Sequence, residues 1–210
     1  MTELRSEFPQ HYNIYRIPGD VIEKNRQHPL LVNLFLLSTG HMREALGHYV
    51  ERDTIDTYLI IYCVAGRGWF RSNDTSWDVT RGDIVLVPRD TPHAYGADRD
   101  QPWTIQWAHF SGGATEALLK LANITPEQPV ISIGERLNIV SLFDEILRTL
   151  QAGYNLHYLI NAAAYLRQIL SNIALLNTYS PPISSEDLNA EKIIHFMLDN
   201  LTNANIRLMV

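Results

Sequence analysis

Behind Pro92, His93 and Tyr95 stand two residues apart, so on a strand they would face the same side. An imidazole in that place can ligate a metal, wall a ligand pocket, or bond structurally to its own turn. The metal chemistry needs company: three or four nitrogen or oxygen ligands converging from neighbouring strands. His48 lies far upstream, with no second histidine spaced to help it. Cys63 sits in the apolar run 58–64, where a thiol is a small buried hydrophobe before it is a nucleophile. Glu51, Asp53 and Asp56 cluster in a polar stretch and read as solvated turn carboxylates. No G-x-S-x-G elbow, Cys/His spacing or facing carboxylate pair is present. Catalysis has little to work with.

The elements that must position His93 are short strands. Arg81-Gly82-Asp83 reads as a tight turn, Ile84 to Val87 as a β-branched-rich strand, and Pro88 as its stop. From residue 29 to 110 the same rhythm repeats: LLVNLFLLS, HYVER, TYLIIYCVAG, GWFRSN, SWDVT, DIVLVP, HAYG and WTIQWAHF. Turn signals divide them at Gly40, Gly66-Arg67-Gly68, Asn73-Asp74, the 81–83 turn and Asp98-Arg99-Asp100. Such spacing predicts an all-β barrel or sandwich. In the last strand Trp103, Ile105, Trp107 and His109 share one face, while Gln106, Ala108 and Phe110 share the other. Both faces are partly apolar, so that strand is expected to be covered on both sides.

After Gly112-Gly113 the period changes to that of helices, at 114–121, 137–150 and 156–176. The last carries Leu156, Leu159, Ala163, Leu166, Leu170 and Ile173 at alternating three- and four-residue spacing, a heptad-like seam. Such a seam is either intradomain core or the contact with a second copy. Residues 1–28, with Pro9, Pro18 and Gly19, read as an irregular N-terminal arm. Residues 179–189 read as a linker, and 190–210 begin with an amphipathic helix whose apolar face has no following partner, as at the start of a further domain.

A net charge of −6 argues against a broad phosphate-binding surface on these residues. A single cysteine forms no internal disulfide, and neither a signal peptide nor a membrane span of about 20 apolar residues is read. The expected setting is the cytoplasm.

The usual metal-binding cupin pattern has two histidines and a glutamate on an earlier strand ending in glycine, then a third histidine in a second motif. Here the second motif is nearly complete: Gly82, Pro88, Asp90 where glycine is usual, and His93. The first is not, because DTYLIIYCVA offers Leu59 and its neighbours instead of ligands. The expectation is therefore a barrel without metal or other cofactor, used for binding. A metal-dependent cupin isomerase or dioxygenase is the rival reading, and a filled barrel serving only for dimerisation is a third.

Arg52, then YLIIYCVAGRGWF, RGDIVLVPRDTPHAYG and WTIQWAHFSG, in that order and spacing, resemble the ligand-binding and dimerisation domain of AraC-family transcription regulators. The likeness runs from about residue 30 to the end, where NAEKIIHFMLDNL is similar to the first helix of the family's DNA-binding domain. The resemblance implies that residues 29–178 form a cupin-like (double-stranded β-helix, jelly-roll) barrel together with the α-helical dimerisation segment that follows it. It implies a small-molecule effector, a carbohydrate by preference, inside the barrel, and a homodimer along the seam. DNA would be bound only through the domain that begins at 190–210. In sugar-responsive members the ligand lies on a tryptophan, with an arginine, a tyrosine and the N-terminal arm around it. The matching positions are Trp107, Tyr95 and, with one residue gapped before Tyr58, Arg52, with His93 beside them; Ile105 departs from the family's polar residue. An indole platform, an arginine fork and a phenol suit a pyranose, which has an apolar face and a polar rim. The alternatives for each are plain: Trp107 as barrel core, and Arg52 paired with Glu51, Asp53 or Asp56.

Overall fold

The turn-bounded apolar runs fold as strands. The computed structural model describes residues 12–178; the chain divides after Thr178, and every described residue belongs to the first unit. In chain order these residues form β1 (Tyr12–Arg16), α1 (Gly19–Asn25), β2 (Phe35–Met42), β3 (Tyr49–Arg52), β4 (Tyr58–Ala65), β5 (Arg67–Ser72) and β6 (Thr75–Thr80). There follow β7 (Asp83–Val87), β8 (His93–Ala97), β9 (Thr104–Ser111), α2 (Thr115–Leu121), β10 (Val130–Ser132), α3 (Leu137–Ala152) and α4 (Leu156–Thr178). One sheet has the order β1-β2-β9-β4-β7-β10 and the other β3-β8-β5-β6. All the pairings between named strands are antiparallel.

Side-chain alternation divides the large sheet into two apolar faces. On β4, Tyr58, Ile60 and Tyr62 join Ala108 and Phe110 of β9 in a core shared with α3 and α4. Leu59, Ile61 and Cys63 point the other way, with Ile105, toward Phe70, Val79 and Tyr95 of the small sheet. The last strand is thus covered on both sides, as its two-faced apolarity requires. The helices are fixed to the sheet by polar contacts as well. Tyr62 donates its hydroxyl proton to the Gly134 carbonyl at 3.1 Å and accepts the Arg136 N–H at 2.8 Å. That bond satisfies a backbone donor at the start of α3, where no side-chain cap is present.

Four expectations need correction. Residues 12–25, read as part of an irregular arm, form β1 and α1; Tyr12, Ile14 and Arg16 alternate with Asn13 and Tyr15, and β1 completes the sheet against β2. The strand read at 30–38 begins only at Phe35, and β10 was not read because three residues carry no period. Gly40 is not a turn: it lies inside β2, opposite Trp107 of β9.

The fourth correction concerns the seam. Leu159, Ala163, Leu166, Leu170 and Ile173 are buried within this chain, in one core with α3 and the outer face of the large sheet, and Leu156 packs at its margin. A stripe widened by Ile169 serves a sheet and a helix at once, so these side chains are not available to a second copy. By length and composition α4 is also apolar enough to cross a membrane, but its apolar side is that core. The linker at 179–189 and the helix at 190–210 lie outside the described residues.

Candidate functional site

Between the sheets lies a cavity of about 860 Å³, lined among others by Tyr12, Ile14, Arg16, Met42, His48, Arg52, Ile61, Tyr95, Ile105, Trp107 and His109. Strand register explains the wall. Across β1, β2, β9 and β4, the row Ile14–Gly40–Trp107–Ile61 runs beside the row Arg16–Ser38–His109–Leu59. Trp107 can lie flat in the wall because Gly40, its cross-strand neighbour, has no side chain. A Cβ there would stand 2.7–2.8 Å from the indole. From the small sheet, β3 sets Val50 opposite Tyr95 and Arg52 opposite His93.

Several polar groups here are buried with nothing to bond. Arg52 Nη1 and Trp107 Nε1 have no partner. Arg52 does not pair with Glu51, which instead accepts from Arg71 at 3.1 Å on the other face of the strand. Its guanidinium lies against the Tyr95 hydroxyl, whose pKa burial pushes up while Arg52 opposes the rise. Unsatisfied buried donors are costly and rare, and a cavity that collects them is built for a solute.

The histidines of the wall are neutral. Burial, and next the Arg52 charge, lower His48 from the ordinary 6.5 to about 4; burial with Arg52, His93 and Arg16 does the same to His109. Trp103 Nε1 donates to His48 Nδ1 at 3.3 Å, consistent with an uncharged ring. Between pH 6.5 and 4 the unfolded chain therefore binds protons that the folded chain refuses, so stability falls as pH falls through this window. Urea midpoints at pH 6.5 and 4.5 should differ in that direction, and His109→Gln should shrink the difference. An unchanged difference in that variant would remove His109 from the account.

Of the four residues expected around a ligand, three line the cavity: Arg52, Tyr95 and Trp107. His93 does not. It is 4% exposed, its Nδ1 is 2.7 Å from the Thr91 carbonyl, and its ring stacks on Tyr95 at 5.9 Å and on Phe70 at 6.3 Å. A strand-start histidine is held by its own turn, and it backs the Tyr95 ring instead of meeting solute. Asp90, in the place where glycine is usual, takes a left-handed φ of 58° in that turn, a conformation aspartate tolerates better than most residues. Sequence reasoning missed Arg16 and weighed His48 only as a metal ligand; the alternation Tyr12, Ile14, Arg16 was the available signal for the first. His109 was placed on the Trp107 face without a role. Among the described residues no group of three His, Cys, Asp or Glu side chains is placed to hold a metal ion. Cys63 is buried, and burial beside Asp83 pushes its thiol up to about 12, so it is no nucleophile.

Two antiparallel sheets around a hollow interior lined by both apolar and polar side chains, with helices on one outer face, make a cupin-like barrel. The AraC-like ligand binding domain family matches over residues 35–170, and the chain belongs to it. The chain is similar to the MmsAB operon regulatory protein of Pseudomonas aeruginosa, 31% identical over 189 residues, 88% of this chain and 60% of that protein. It is also similar to the Msm operon regulatory protein of Streptococcus mutans, 36% identical over 96 residues, 44% of this chain and 34% of that one. A third relative is the raffinose operon transcriptional regulatory protein RafR of Pediococcus pentosaceus, 40% identical over 73 residues, 34% of this chain and 26% of that one. The chain thus spans three-fifths or less of each of these regulators. The matching family is a ligand-binding one, and the three relatives are named as operon regulators.

Proposed function

We propose that this chain is the effector-sensing part of an AraC-type transcription regulator, with a small polar metabolite of the carbohydrate class bound between the two sheets. The observation that carries the reading is the pair of buried, unpartnered donors, Arg52 Nη1 and Trp107 Nε1, on the wall of one cavity. Trp107 offers its ring to the apolar face of a sugar, and Arg52 and Tyr95 offer donors to its rim. One relative regulates a raffinose operon, which supports a carbohydrate. A metabolite sensor with micromolar to millimolar affinity needs only about 4 to 8 kcal/mol of binding, within reach of one stacked ring and a few hydrogen bonds.

Sensing requires that effector bind two arrangements of the protein unequally. β1 is the element suited to report occupancy, since it is an edge strand of its sheet and contributes Tyr12, Ile14 and Arg16 to the wall. The regulator works in the cytoplasm as a homodimer, and its DNA contacts belong to a domain that begins near residue 190. The dimer contact lies outside the α4 seam, which is consumed in the core. A thermal-shift screen against mono- and disaccharides tests the binding reading. A hit should raise the melting temperature of the wild type and leave Trp107→Ala unmoved; an equal rise in the variant places the ligand elsewhere.

A further inference from the structure

The ionisable side chains of the cavity wall are unbalanced. Arg16 and Arg52 are there, and no aspartate or glutamate among the described residues is. This is local, because the whole chain carries −6. Neither arginine belongs to any ion pair among the described residues, and Arg52 Nη1 has no hydrogen-bond partner. Both charges reach His109, whose imidazole they help keep neutral. The wall holds no carboxylate and no side-chain amide to receive the proton of a sugar hydroxyl, and its side-chain acceptors are limited to tyrosine hydroxyls and neutral imidazoles. A neutral polyol brings one donor with every hydroxyl. A carboxylate brings acceptors alone, and its planar pair of oxygens matches a guanidinium fork.

We propose that the cavity selects an anion: a small organic acid of sugar size, such as a hexuronic or aldonic acid, whose carboxylate is held by Arg16 and Arg52. This rests on the reading that the effector binds in the barrel, and it narrows the effector class within it. Arg16 stands exposed on the cavity's edge strand and Arg52 half-buried across from it, and two cations without a counter-charge at one cavity draw anions even to an acidic protein.

Two measurements test it, the first without any ligand. Trp107 fluorescence, taken as the difference between wild type and Trp107→Phe, is quenched by iodide and by caesium. Iodide should quench several times more strongly, and Arg16→Met combined with Arg52→Met should bring the two together. Equal quenching of the wild type by the two ions overturns the proposal. The second compares D-glucuronate with D-glucose and D-galacturonate with D-galactose by calorimetry at constant ionic strength. An acid should bind at least about tenfold more tightly than its neutral counterpart, and Arg16→Met should erase most of that preference. A neutral sugar binding as tightly as its acid, lost in Trp107→Ala, overturns the anion preference and leaves the barrel as the effector site. An acid that binds Trp107→Ala and Arg52→Met unchanged overturns both.

Discussion

Leu166→Lys should strongly destabilise the domain and not merely separate two copies of it. Leu166 is 0% exposed in the monomer, packed in one core with Phe143 and Ile146 of α3 and with the outward face of β4 and β9. An ammonium there has no partner, so the substitution combines a lost apolar contact with a buried charge. Each alone costs a few kcal/mol, and together about 4–5 kcal/mol or more. Domains of this size are stable by about 5–15 kcal/mol, so the substitution should remove between about a third and all of the domain's stability. Leu175→Lys is the control: Leu175 lies on the same helix but is 57% exposed, and the change should stay within about 0.5 kcal/mol. Circular dichroism in urea, with sedimentation of both variants, separates the outcomes. A monomeric Leu166→Lys protein with an unchanged urea midpoint would sink the view that the seam is internal.

The seam shows how far periodicity can be read. Spacings of three and four residues establish that α4 buries one side, and it does. They do not say whether the covering surface belongs to the same chain, because an apolar stripe looks alike against a sheet and against a copy of itself. The strands between residues 49 and 111 were legible for a different reason: their turns carry glycine, asparagine or aspartate, and their alternation separates two cores. β1 lacked the turn sign, since Pro18 and Gly19 close by suggested a loop, and its alternation carried little weight because a single edge strand buries little. Arg16 was lost with it. For the candidate site, Arg52, Tyr95 and Trp107 could be found from motif order, and their arrangement around one cavity follows from register that only the paired sheets reveal. His93 is set behind the lining residues, because facing the same side as Tyr95 does not fix which ring stands in front. Its Nδ1 is engaged by the Thr91 carbonyl.

Gly40→Ala should disable the site while leaving the barrel folded. A methyl group at residue 40 would sit 2.7 Å from Cε2 and Cζ2 of Trp107 and 2.8 Å from its Nε1, closer than carbon atoms can approach. Backbone conformation is not the obstacle, since Gly40 lies within a regular strand. Something must shift, and the indole is the group with space to take, because it borders the cavity. Overpacking in a filled core costs about 1–3 kcal/mol; beside an open cavity the loss should stay near the lower end of that range. Ligand binding should suffer more, by about tenfold or beyond, because the stacking platform now stands where the solute should lie. Trp107→Phe offers relief, its smaller ring leaving room for the methyl. In the double variant the stability cost of the alanine should largely vanish, giving a coupling of about 1 kcal/mol between the two positions. Urea denaturation of the two single variants and the double variant measures it. Strict additivity would mean that the alanine is accommodated by the strand and that Gly40 does not set the pose of Trp107.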